Sequence, residues 1–132
     1  MLYAILCYDN EDVVGAWTPE EDAAIMTKLH AVQDRLAAQG RMGPVARLLP
    51  TTAATTIRKG AEALVLDGPF AETKEQLLGF YVVECEDLEQ AIETAKALAG
   101  ASSSAGSFEL RPIGYFNGRQ GLAQVAAEAA PA

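Results

Sequence analysis

The chain has little of what marks a metal centre, a membrane anchor or a nucleotide site. In 132 residues it carries two cysteines, one histidine and one tryptophan. Cys7, Cys85 and His30 are too few for a structural zinc site, which needs four such ligands. Both cysteines lie in apolar, strand-like runs. They read as buried thiols of a reducing compartment rather than as a disulfide. No run approaches ~18 consecutive apolar residues, so no segment reads as a membrane-spanning helix. Met1 to Tyr8 lacks a basic flank and acidic residues follow it, so it does not read as an export signal and the expected location is cytoplasmic. There is no phosphate loop, no dinucleotide fingerprint and no Gly-x-Ser-x-Gly elbow. No cofactor is expected. Positive charge is scarce as well: 10 basic residues stand against 18 acidic ones, a net charge of −8. Phosphate backbones would be repelled on average, which argues against a nucleic-acid partner.

What is present is enough apolar material for one domain. Half of the residues are hydrophobic and 21% are charged, which excludes a disordered chain. A compact protein of this mass exposes roughly 6,700 Å², about a third of the surface of its unfolded chain.

The pattern alternates strands and helices. Residues 2–8 read as a short buried strand and Asp9 to Asp12 as a polar turn. Thr18, Pro19 and Glu21 form a helix start, with N-cap, first-position proline and capping box. Ile25, Leu29, Val32 and Leu36 give one core-facing stripe, and Gly40 a stop, so a helix is expected over 19–39. Strands follow at 45–49, 54–58 and 63–66, the last two joined at Lys59-Gly60. Thr73 and Gln76 have capping-box spacing and suggest a short helical turn over 72–77. Gly79 to Cys85 reads as a central strand buried on both faces. Asp87 and Gln90 cap a second helix that ends at Gly100. Phe108 to Ile113 alternates as a half-covered strand, and Pro112 places it at an edge. Residues 114–132 lose the pattern and read as an alanine-rich extension of a domain spanning 1–113.

Two helices and several strands fit an α+β sandwich with both main helices on one face of an antiparallel sheet. The other face then needs cover. A second subunit is the simplest cover, so a homodimer is expected.

Two residues stand out as candidates for chemistry. At roughly 100° per residue, His30 lies about 130° from the apolar stripe of its helix. It shares a charge-free lateral stripe with Ala23, Met26, Gln33 and Ala37, where a cleft or subunit contact can form. A lone histidine is nevertheless more often an ordinary surface residue. Asp67 ends an apolar strand and precedes Gly68-Pro69. Strand ends commonly present reactive groups, while turn chemistry alone explains Asp-Gly-Pro. Phe70, at the tip, either plugs the core or lines a pocket. Glu72, Lys74 and Glu75 read as a solvated turn with too few converging oxygens for magnesium. No spacing supports a Cys7 or serine nucleophile with His30 as its base.

The run Asp67-Gly68-Pro69-Phe70-Ala71-Glu72-Thr73-Lys74-Glu75 resembles the signature of the DGPF proteins, a branch of the YCII-related family. The strand ending in Tyr8, the helix carrying His30, Gly79-Phe80-Tyr81 and Glu109-Leu110-Arg111-Pro112 are similar too. The resemblance covers roughly 1–113. It implies a ferredoxin-like α+β subunit that pairs into a dimeric α/β barrel. It also implies a catalytic pair at His30 and Asp67 facing one cleft. Tyr8, Phe70 and Lys74 are the expected substrate contacts, with Lys74 or Arg111 holding a carboxylate. Without metal or nucleophile, the matching chemistry is proton transfer of isomerase or lyase type on a small organic acid. The alternative is a non-catalytic module binding a metabolite or a regulatory protein, since genes of the family often neighbour those of extracytoplasmic-function sigma factors. A fold alone supplies no reaction.

Overall fold

A computed structural model describes residues 1–118. The elements are β1 (Leu2–Asp9), α1 (Glu11–Gly15), α2 (Pro19–Ala38), β2 (Met42–Arg47), a 3-10 turn (Thr51–Ala53), β3 (Thr55–Arg58), β4 (Leu64–Asp67), β5 (Gln76–Glu84), α3 (Leu88–Ala99) and β6 (Ser107–Pro112).

The long helix forms where its caps require. The Thr18 hydroxyl accepts from the Glu21 N–H, and the Glu21 side chain returns the bond to the Thr18 N–H. Glu20, Glu21 and Asp22 sit in the first turn, where the helix dipole favours negative charge. At the other end Gly40 takes φ 69°. Its N–H donates to Ala37 O and the Arg41 N–H donates to Leu36 O, a Schellman stop that a left-handed glycine makes possible. α3 is capped in the same economical way, by Asp87 accepting from the Gln90 N–H.

Four strands make one antiparallel sheet in the order β2-β5-β1-β6. With a helix after β1 and another after β5, this is a ferredoxin-like α+β fold. β3 and β4 pair only with each other, as a separate two-stranded hairpin. β5 sits inside the sheet and buries Tyr81, Val82 and Val83 on successive positions, so both of its faces are covered there. β6 is an edge strand, which tolerates Pro112.

Register decides what each face carries. Tyr3 lies opposite Val83, and Ile5 opposite Tyr81 and Leu110. These side chains meet Val32 and Leu36 of α2 and Ala91, Ala95 and Leu98 of α3 in one core, where Ile5 and Val83 are fully buried. The other face of the sheet carries Leu2, Ala4, Leu6 and Phe80, all half-buried.

Arg41 ties the packed end together. Its guanidinium donates to Glu84 O at 2.9 Å, to the Thr94 hydroxyl at 2.6 Å and to Gln39 Oε1 at 3.0 Å. The Thr94 hydroxyl, buried in α3, donates in turn to Gln90 O. Among the described residues every buried side-chain nitrogen or oxygen has a hydrogen-bond partner, as its desolvation demands.

Two expectations fail. Residues 11–15 form a helix, because the Asn10 side chain accepts from the Asp12 and Val13 N–H groups and opens a turn. Residues 72–77 do not form one. There the Gln76 amide donates to Thr73 O at 2.6 Å and the Thr73 hydroxyl donates to Glu75 O, and Gln76 begins β5. Cys7 and Cys85 are free thiols. Among the described residues no helix is long and apolar enough to cross a membrane. The expected extension over 114–132 falls largely outside the described residues.

Candidate functional site

One end of the helix–sheet sandwich is hollow. The cause is a single row across the sheet, where Cys7 lies opposite both Gly79 and Phe108 and Gly79 lies opposite Arg47. The two central places of that row hold a small side chain and none. Gly79 cannot be enlarged, because a Cβ there would stand 2.5 Å from Ala46 O. The helices bridge the gap and leave a cavity of about 420 Å³ between α2, α3 and the sheet. That is the size range of small-molecule sites.

Its walls are apolar. Ile25, Met26 and Leu29 come from α2, Ile92 from α3, and Phe108 and Leu110 from β6. Its floor is uncharged. Burial pushes the Cys7 thiol up to about 12. Burial, and then the neighbouring Cys7, push the Tyr81 phenol up to about 12 as well. Near neutral pH both are therefore weak, neutral donors, and Cys7 is not a thiolate nucleophile.

Charge appears at the mouth. Arg47, exposed, donates to Asp22 Oδ1 at 2.9 Å and forms an ion pair across the entrance between β2 and α2. Lys96 of α3 also borders the cavity and is exposed. Asp9 and Tyr8 border it at the end of β1.

A rim closes over this end. The Glu11 carboxylate accepts from the Thr51 N–H at 2.8 Å and from the Thr51 hydroxyl. Those two bonds hold its pKa below the ordinary carboxylate value. The Glu11 N–H donates to Gln76 Oε1. α1 is thereby pinned to the loop after β2 and to the start of β5. α1 places its own Val14 on the cavity wall, and the segment it leads into adds Trp17, the single tryptophan.

The residues expected from sequence are distributed differently. Tyr8 lines the cavity. His30 is exposed on α2; Met26 and Gln33 of its stripe line the cavity, and His30 does not. Asp67 is exposed at the end of β4. Gly68 takes φ 93°, its N–H donates to Ala54 O at 2.8 Å, and its carbonyl accepts from the Thr56 hydroxyl. The Asp-Gly-Pro run thus ends β4 and turns the chain away at the open end of the hairpin, beside the start of β3. Neither the His30 ring nor the Asp67 carboxylate takes part in a side-chain hydrogen bond or ion pair within the described residues, so the single chain does not join them. Phe70 is 79% exposed, neither in the core nor on the cavity wall. Lys74 is exposed and away from the cavity.

Sequence reasoning missed Trp17, Asp22, Arg47 and Lys96. A lone tryptophan between a glycine and a helix cap was the one available signal. The others take part only through strand register and helix packing.

A family model described as the YCII-related domain matches residues 1–117. An uncharacterised protein of Rhizobium meliloti (strain 1021) is 54% identical over 117 residues, covering 88% of this chain and 94% of that protein.

Proposed function

The chain belongs to the YCII-related domain family, and from that premise we propose that it is a small-molecule protein, working as a homodimer, whose ligand enters the cavity between α2, α3 and the sheet. The observation that carries this reading is the combination of an apolar, uncharged interior of about 420 Å³ with ionised groups confined to its mouth. A ligand with a short apolar or aromatic body and one carboxylate matches it. The body replaces water against Ile25, Leu29 and Phe108. The carboxylate stays at the mouth, where Arg47 or Lys96 can meet it without full desolvation. We take 1–113 as the domain and the cytoplasm as its location, a compartment in which Cys7 and Cys85 would stay as thiols.

Support for the homodimer comes from the sheet face opposite the helices, where Leu2, Leu6 and Phe80 are only half-covered by their own chain. Acid/base catalysis by His30 and Asp67 belongs to the proposal only where a hairpin movement or the second subunit brings the two together. Comparing the His30 ring titration by NMR in wild type and Asp67→Asn decides it: coincident curves remove the pair. No surface among the described residues singles out a sigma factor.

The cavity reading is tested with Trp17 as reporter. Benzoate, hexanoate and their amides are titrated while tryptophan emission and thermal midpoint are followed. The expected result is a saturable emission change with a rise in midpoint, since a ligand that binds only the native state stabilises it. Arg47→Ala should weaken the acids and leave the amides unchanged. Absence of any saturable change with every probe overturns the reading.

A further inference from the structure

The β3–β4 hairpin stands apart from the rest of the fold. Ile57 is 63% exposed, Leu64 58%, Val65 69% and Leu66 41%. The register sets Ile57 opposite Val65 on one face and Thr56 opposite Leu66 on the other. Both faces therefore show apolar side chains to solvent. None of the hairpin's residues belongs to the hydrophobic core or packs against it. Leu49 before the hairpin and Phe70 after it are each 79% exposed. A two-stranded hairpin alone is marginal in water, and a contiguous exposed apolar patch marks a contact surface.

The area and the charge identify the contact. The chain exposes 9581 Å², against roughly 6,700 Å² for a compact protein of its mass. Even with the full unfolded-chain surface of about 1,900 Å² set aside for residues 119–132, at least about 1,000 Å² of surplus lies on the described part. Each partner in an interface of standard size contributes ~800 Å². The hairpin tip carries Arg58 and Lys59 against the single Glu62, a net charge of +1, whereas the whole chain has 18 acidic against 10 basic residues. A cationic tip on an acidic body is complementary to another body of the same kind.

We propose that the β3–β4 hairpin is an arm that clasps a second copy of this chain, laying Ile57, Val65 and Phe70 on its partner and its cationic tip against the partner's acidic surface. The arm rests on the homodimer proposed above and extends it beyond the open sheet face. In a two-fold pair each subunit gives one arm and receives one, so the contact closes on itself.

The test is sedimentation equilibrium over a concentration series on the full chain, paired with hydrogen exchange of the 55–67 segment at both ends of the series. Wild type should dimerise. Ile57→Lys/Val65→Lys should weaken dimerisation at least tenfold while its circular dichroism and thermal melt as a diluted monomer match those of wild type. Amides of 55–67 should be protected in the dimer and lose that protection on dilution. A wild-type dimer with an unprotected hairpin, or a variant that dimerises as tightly as wild type, overturns the arm and leaves the sheet-face dimer standing. A wild type that stays monomeric throughout overturns both. The hydrogen-exchange comparison needs no variant, so the proposal remains falsifiable if the double substitution fails to fold.

Discussion

The two ends of the sandwich are built from the same strands and helices and are opposites in packing. At one end Tyr3, Ile5 and Val83 fill the space beneath Val32, Leu36 and Ala91, and Arg41 fastens the strand end to α3. At the other end Cys7 and Gly79 occupy the matching places, and about 420 Å³ is left open. The helix–sheet frame is therefore no bar to a cavity; side-chain size in one row of the sheet is sufficient to open it. A well-packed end also holds the helices in place, so that the hollow end need not collapse.

The largest expected effect is at the packed end. Ile5→Ala should cost about 2–5 kcal/mol in urea denaturation, as buried aliphatic truncations do. Ile25→Ala, on the cavity wall, should cost less than ~1 kcal/mol, because a space already open loses few contacts. Equal costs would break the comparison. Next comes Gly79→Ala, expected to lower stability by about 1–3 kcal/mol as β2 and β5 are forced apart. A neutral outcome would mean that the small row is a matter of choice rather than of strand spacing.

The floor of the cavity gives a pH signature. The Cys7 thiol moves from its ordinary 9.0 to about 12, and the Tyr81 phenol from 10.0 to about 12. The unfolded chain thus loses these protons first. Their contribution to stability should be flat below about pH 9 and fall between 9 and 12. Cys7→Ala should flatten part of that fall in a thermal melt series, whereas Cys85→Ala tests the packed end as the control. The smallest effect concerns the rim. Glu11 has a lowered pKa through Thr51, so its contribution is present above its ordinary 4.5 and is lost as pH drops through the lowered value. Glu11→Gln should therefore reduce the thermal midpoint slightly near neutrality, with the difference closing in acid.

What could be read from sequence was local. Thr18, Pro19 and Glu21 announce α2, and Gly40 ends it, because capping is a matter of a few adjacent atoms. The dense run after Gly79 announces the inner strand. α1 escaped because five residues are too short to show a period and Asn10 looks equally like a turn former. Gln76 misled because a three-residue spacing serves a capping box and, with donor and acceptor exchanged, an extended start. The cavity escaped for a deeper reason. It exists because Cys7 and Gly79 face one another, and register between strands distant in sequence is not written in either strand. A helical projection found the stripe of Met26 and Gln33, but the hollow extends from that stripe toward Ile25 and Leu29. His30, between Met26 and Gln33 along the axis, lies about 40° from Met26 on the other side. The joining of His30 to Asp67 came from the family resemblance and has no local physical trace in either segment.

The pairing of β1 with β5 skips one residue, since Cys7 faces Gly79 and Tyr8 faces Leu77. Leu78 is therefore surplus to the ladder, a bulge. Its consequence lies in how the gene can change length. Removing any residue from 80–83 would shift part of the strand by one place and send Tyr81 or Val83 outward. Removing Leu77 or Leu78, which gives the same sequence, would leave both flanking registers with β1 intact. A single-codon deletion scan of the strand should thus show one permissive gap in an otherwise forbidden stretch, and descendants of this chain can shorten the strand there without exchanging its two faces.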